Sequence, residues 1–239
     1  MDESPLSLVA TALLGLLILV FFSYILSSFR KKSNSNGSSK TRDRLLVCGP
    51  SGSGKTLLAF RMCLDKSPTT ITSMKPTVLE YKGTKEGAVS VPVPVVDFPG
   101  HPRLRTMLYS EYLEEAKEII FLIDSSNVQN QAREAAEFIY DLFTNPLIDK
   151  VMKFHVVCNK SDVANARPPA RVKLTLQQEL EKIKKTRKSL EEADDGTFVP
   201  LGRDGKQFSF DQDSPVEIEF YALSAKNDTV ESITESIGL

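Results

Sequence analysis

The chain has 239 residues, enough for one large domain with appendages. Its hydrophobic share of 41% supports an ordinary globular core, and 30 basic against 31 acidic residues leave a net charge of −1. That balance points away from a nucleic-acid partner.

Residues 6–29 carry no charge. A helix of that length is roughly 36 Å long and spans a hydrocarbon core of about 30 Å with some tilt. Arg30, Lys31 and Lys32 follow the run, and Asp2 and Glu3 precede it. The positive-inside rule then puts the following chain in the cytosol and residues 1–5 on the luminal side. A cleaved signal peptide fits less well, because the run is long and its basic flank lies on the wrong side. A buried core helix fits less well too, because the run has no polar face. Residues 30–41, with the stretch S-N-S-N-G-S-S-K, read as a basic and polar flexible tether. Residues 42–239 are the expected globular domain.

In that domain strands and helices alternate, which predicts an α/β fold. Expected strands are 45–48, 77–82, 88–96, 118–124, 153–158 and 217–223, and expected helices are 56–64, 131–143, 172–190 and 229–237. This makes a mixed, mostly parallel six-stranded sheet flanked by helices. The second and third strands form an antiparallel hairpin across residues 83–87. Pro92 and Pro94 suggest an edge or an irregular start for the third. Leu174, Leu176, Leu180 and Ile183 form the expected inner side of the charged helix 172–190. Cys48, Cys63 and Cys158 lie in apolar runs and read as buried free thiols. The chain has no C-x-x-C pair, which argues against zinc and redox roles and suits a reducing compartment.

The first strand leads into Gly49, Pro50, Ser51, Gly52, Ser53, Gly54, Lys55 and Thr56, which spell G-x-x-x-x-G-K-T. In a strand–loop–helix setting this is a phosphate-binding loop. Its backbone N–H groups and the following helix dipole face phosphate oxygens. Lys55 reaches the β- and γ-phosphates, and the Thr56 hydroxyl ligates Mg²⁺. Among the threonines of residues 69–73, Thr72 is the choice for a second metal-ligating hydroxyl, which would order that segment in the triphosphate state. Asp97, Phe98, Pro99, Gly100 and His101 spell D-x-x-G-H. Asp97 suits Mg²⁺ held through water, and the Gly100 N–H suits the γ-phosphate.

Asn159, Lys160, Ser161 and Asp162 spell N-K-x-D after the fifth strand. A carboxylate at Asp162 accepts from guanine's ring N1–H and its exocyclic amine. Adenine offers an acceptor there, a mismatch that discriminates by about 10⁴-fold. The Lys160 stem covers the base and Asn159 fastens neighbouring loops. A backbone N–H of Ser224, Ala225 and Lys226, after the last strand, suits the guanine oxygen. GTP or GDP with Mg²⁺ is the implied ligand.

These four motifs, in this order, resemble a Ras-type small GTPase over nearly all of residues 42–239. The anchor, the tether, Asp97 to His101, residues 200–210 and the lengthened helix after Asp162 narrow the resemblance to the signal recognition particle receptor β subunits. It implies the P-loop small-GTPase fold and a place in the endoplasmic reticulum membrane, with the GTPase domain cytosolic. It also implies GTP-dependent binding of the receptor α subunit through that subunit's amino-terminal domain, and delivery of ribosome–nascent-chain complexes to the translocon. Ras-like enzymes carry a water-orienting Gln where this chain has His101. His101 is therefore the candidate catalytic residue, with packing beside Pro102 as the alternative role. Nothing assigns a catalytic role to Arg103 or Arg105. Intrinsic hydrolysis is expected at about 10⁻³ s⁻¹ or slower. The competing readings are another membrane-anchored Arf- or Ras-like GTPase in vesicle traffic, a turnover NTPase, and an anchor with a vestigial site. The intact Lys55, Thr56, Asp97, Asn159 and Asp162 argue against the last.

Overall fold

A computed structural model describes residues 42–69, 73–83, 91–191 and 201–237. The expected membrane helix 6–29, the tether, Thr72 and residues 84–90 of the hairpin lie outside the described residues. Among those described, no helix is long and apolar enough to cross a membrane.

The elements run β1 (Arg44–Cys48), α1 (Lys55–Leu64), β2 (Thr77–Tyr81), β3 (Val93–Asp97), β4 (Ala116–Asp124), α2 (Val128–Phe143), β5 (Lys153–Asn159), α3 (Pro169–Glu191), α4 (Phe210–Asp213), β6 (Glu217–Ala222) and α5 (Val230–Ile237). One six-stranded sheet has the order β2-β3-β1-β4-β5-β6. Only the β2–β3 pair is antiparallel. The parallel strands are buried on both faces, so β1, β4 and β5 read as near-continuous apolar runs. Alternate residues go to opposite sides. Leu46, Ile119, Phe121, Phe154 and Val156 join α2 and α3, while Leu45, Val47, Ile120, Leu122 and Val157 join α1 and α5.

Several expectations are corrected. β3 is an interior strand, and β2 takes the edge. Its pairing with β1 begins at Val95, one residue after Pro94. The proline's missing N–H therefore costs no bond in that ladder. Helix α3 starts earlier than expected, with Pro169 as its first residue, where a proline loses no helical hydrogen bond. Its inner side is Val172, Leu176 and Leu180, an i, i+4 row, with Ile183 packed against the same core as expected; Leu174 is 52% exposed and lies off it. Cys48 and Cys158 are buried but Cys63 is only half-buried. Burial pushes all three thiols up to about 12, so they stay unionised.

Two segments show no sustained sequence period. Residues 102–115 wind through short 3₁₀, α and π turns that bury Leu108 and Leu113. Helix α4 has four residues, too few for a period to register. It is held by an Arg203–Asp213 pair at 2.7 Å and by the Ser209 N–H on Asp213 at 2.8 Å. Its Phe210 extends an aromatic chain. Phe154 stacks on Phe121 at 5.9 Å and meets Phe143 edge-on at 5.3 Å, and Phe143 meets Phe210 at 6.3 Å. Phe154→Ala is expected to cost about 3–5 kcal/mol of unfolding free energy. Leu174→Ala on the exposed side of α3 should cost within about 0.5 kcal/mol. Urea denaturation of the two variants checks the contrast.

Candidate nucleotide site

The carboxyl ends of the parallel strands bring the sequence motifs to one sheet edge, where ligands of open α/β sheets sit. The loop after β1 ends at Gly54 (φ 94°), which precedes α1 without a side-chain cap. Its left-handed backbone favours glycine, and an added Cβ would fall 2.3 Å from the Asn159 amide nitrogen. The uncapped N–H groups of the first turn of α1 are therefore left for an anion. Lys55 is buried, and its Nζ donates to the Pro50 carbonyl at 2.7 Å and lies 3.4 Å from the Ser53 hydroxyl. Burial brings the Lys55 ammonium down to about 8, against the opposing charges of Asp97 and Glu134. A buried ammonium whose hydrogen-bond partners are neutral oxygens is the electrostatic counterpart of a phosphate.

Thr56 and Asp97 meet directly. The Thr56 hydroxyl donates to Asp97 Oδ2 at 2.7 Å, from residues 41 apart in the chain. Asp97 Oδ1 is buried with no partner. Burial raises the Asp97 carboxyl, more than the Thr56 hydrogen bond and the Lys55 charge lower it. A hydroxyl and a carboxylate with one oxygen to spare fit an oxygen-liganded divalent cation such as Mg²⁺. Gly100 passes so close to the loop that a Cβ there would lie 2.6 Å from the Ser51 nitrogen and 2.7 Å from Lys55 Nζ. The end of β3 thus lines the phosphate side of the site.

At the other end, Asn159 is buried and both ends of its amide are used. Its Nδ2 donates to the Ser53 carbonyl at 2.7 Å, and its Oδ1 accepts from the Ala225 N–H at 2.8 Å. Three loops are fastened by one side chain. Asp162 is exposed at the mouth, and its Oδ1 accepts from the Ser224 hydroxyl at 2.7 Å. The Ser224 N–H goes to Asp228 at 2.6 Å. With the Ser224 and Ala225 N–H groups drawn to side-chain acceptors, the exposed Lys226 carries the remaining N–H of the tripeptide at the edge.

A family profile described as "Signal recognition particle receptor beta subunit" matches residues 40–215. The chain belongs to that family. It is 31% identical over 229 residues to a signal recognition particle receptor subunit β of Rattus norvegicus, covering 94% of this chain and 80% of the relative. The corresponding protein of Saccharomyces cerevisiae is 30% identical over 194 residues, covering 77% and 76%. Among solved structures, the mammalian signal recognition particle receptor superimposes with a TM-score of 0.70 at 27% identity, covering 81% of this chain and 97% of that one. A receptor SRb-GTP/SRX complex from Chaetomium thermophilum gives 0.66 at 23% identity, covering 82% and 98%, and supports the fold.

The β-subunit fold gives the residues after Gly100 clear jobs. His101 is half-buried, and its Nδ1 accepts from the Arg103 N–H at 3.2 Å, capping the turn Pro102–Leu104. With Nδ1 as acceptor, a neutral ring carries its proton on Nε2 and is a donor toward any water there. Arg105 is buried, pairs with Glu134 at 3.1 Å and lies 4.4 Å from the Phe138 ring centroid. It anchors residues 102–115 to α2.

Sequence reasoning missed Asp124, Ser125 and Gln131. Gln131 of α2 donates to the Ser51 carbonyl at 3.1 Å. The Ser125 hydroxyl donates to the Asn159 carbonyl at 2.6 Å. Asp124 takes the Lys160 ammonium at 2.5 Å. The available signal was the polar stretch Asp124-Ser125-Ser126-Asn127 after an apolar strand, the same pattern that marked the other loops of this edge.

The lowered Lys55 predicts a proton linkage. The free protein holds Lys55 partly deprotonated above pH 8, and a bound polyphosphate requires the ammonium. Nucleotide binding at pH 8.5 should therefore take up roughly half a proton or more. Calorimetry in buffers of differing ionisation enthalpy reads this; no uptake would mean that Lys55 does not face the phosphates.

Proposed function

We propose that this chain is a membrane-anchored GTP-binding switch, the β subunit of a signal recognition particle receptor. It sits in the endoplasmic reticulum membrane through residues 6–29, with the N-terminus luminal and the GTPase domain cytosolic. In the GTP state it holds the receptor α subunit through that subunit's amino-terminal domain, which brings ribosome–nascent-chain complexes to the translocon. The observation that carries the reading is the coincidence at one sheet edge of the Thr56–Asp97 pair with the Asp162–Ser224 pair. One pair has the donor set for Mg²⁺ beside a phosphate loop, and the other presents a carboxylate that matches guanine's two adjacent donors. Solved relatives from Chaetomium thermophilum, an SRb-GTP/SRX complex and an SRb-GDP-Mg structure, support the choice of GTP, GDP and Mg²⁺.

The charge-free run 6–29 with its basic flank supports the anchor and its orientation. His101 in place of a water-orienting Gln, and an Arg105 committed to Glu134 and Phe138, support slow turnover without a partner. The site is then read by binding rather than by turnover. Thr72 is the proposed second metal-ligating hydroxyl in the triphosphate state, and the Gly100 N–H the proposed γ-phosphate donor.

Purified full-length chain should carry guanine nucleotide in stoichiometric amount. It should capture the α subunit's amino-terminal domain with GTP and Mg²⁺ but not with GDP, and Lys55→Ala should lose both properties. Chromatography of the released nucleotide and a pull-down check this. Equal capture by the Lys55→Ala variant would overturn the switch. Asp162→Asn should move preference from guanosine to xanthosine nucleotides, whose base has an acceptor where guanine has its amine. A competition assay with the two diphosphates measures the change, and an unaltered ratio would mean that Asp162 does not read the base.

A further inference from the structure

We infer that Asp124 is a positioning residue for the base end of the site, acting through Lys160. The role rests on the guanine-nucleotide reading above, and adds to it a residue that lies outside all four motifs. Asp124 ends β4 and is the register partner of Asn159 at the end of β5. Lys160 follows Asn159 with a left-handed backbone, φ 62°, a conformation rare for a residue bearing a Cβ. Its ammonium reaches sideways to Asp124 Oδ2 at 2.5 Å. The lysine side chain is 38% exposed but its partner carboxylate only 8%. A lysine at such a rim ordinarily extends into solvent, since holding it costs rotamer entropy. Here a buried carboxylate draws it back across the end of the sheet.

The carboxylate is itself fixed. Asp124 Oδ1 accepts from the Ser126 N–H at 3.0 Å and from the Ser126 hydroxyl at 2.6 Å. Burial alone would raise the Asp124 carboxyl, yet the Lys160 and Ser126 bonds hold it below the ordinary carboxylate range, so it is charged at neutral pH. The loop that carries it is pinned to the N-K-x-D loop from both sides. Ser125 donates twice to the Asn159 carbonyl, and the Arg167 N–H donates to the Ser125 carbonyl at 2.9 Å. The tie therefore works between two loops already joined by hydrogen bonds. It holds the four-carbon Lys160 stem in one place before a base arrives, two residues from the Asp162 carboxylate. A pre-ordered apolar stem gains contact with a planar base without paying the ordering cost at binding.

The test is a double-mutant cycle on the full-length chain, read as release of a fluorescent GDP analogue in Mg²⁺. Asp124→Asn keeps the size of the side chain and an oxygen for Ser126, but lacks the charge that holds Lys160. It should release the analogue on the order of tenfold faster. Lys160→Met, which keeps a stem without the ammonium, should show a similar loss. In the Lys160→Met background, Asp124→Asn should add nothing, because its only route to the nucleotide is gone. Unchanged release by Asp124→Asn overturns the role, as does an equal further loss in the Lys160→Met background, which would mark Asp124 as a support of the loop alone. If Asp124→Asn does not fold, Lys160→Met at its half-exposed position reads the tie from the other end, and unchanged release by it overturns the proposal. A wild-type chain that holds no GDP analogue overturns the guanine reading, and this role with it.

Discussion

The buried amide of Asn159 is the constraint on which the nucleotide edge depends. It donates to Ser53, 106 residues earlier in the chain, and accepts from Ala225, 66 residues later. An amide has one donor end and one acceptor end, so it can join a backbone carbonyl to a backbone N–H with neither left unpaired. A buried carboxylate could take only the N–H, and a buried ammonium only the carbonyl. Asparagine satisfies both neighbours without adding charge to a place where charge is costly. The loop after β1 is thereby referenced to the loops after β5 and β6, and the distance between the two ends of the candidate site is set by the protein.

Around this neutral clamp the charged groups are left under tension. Lys55 is buried among backbone and hydroxyl oxygens, Asp97 is buried with an unpartnered oxygen, and each is shifted toward its neutral form. Neither arrangement favours the fold by itself, because taking a charge out of water is paid back only by a partner of opposite sign. A polyphosphate and a divalent cation are the partners with the right signs in the right order. The binding energy of such a ligand comes largely from groups that folding has already desolvated. This is also why the phosphate loop must be braced from behind. Gln131 on the Ser51 carbonyl, and Ser53 on the Pro50 carbonyl at 2.9 Å, hold the loop backbone in place.

Helix α2 joins this edge to residues 102–115. It carries Gln131 toward the phosphate loop, Glu134 and Phe138 toward Arg105, and Asp141 toward Tyr109 at 3.4 Å. These positions fall three to four apart and share one face. The segment that follows Gly100 therefore rests on the same helix that braces the loop.

Much of this was legible in the chain because its signals are local. The G-x-x-x-x-G-K-T loop, D-x-x-G-H, N-K-x-D and S-A-K each occupy adjacent residues, and the buried strands declare themselves as apolar runs. The short helix α4, the turns of residues 102–115 and the interior place of β3 did not show. Each is decided by contacts rather than by a repeating pattern: Phe210 against Phe143, Leu108 and Leu113 in the core, and a β1 ladder that begins just past Pro94. By itself the sequence determined which chemistry the chain carries, because phosphate, metal and base recognition require particular residue types at close spacing. Only the tertiary structure decided which groups serve that chemistry jointly. Asn159 clamps distant loops, Asp124 faces Lys160 and Gln131 backs Ser51 because sheet register brings strand ends together, and register is a property of the packed core that no short window of residues encodes.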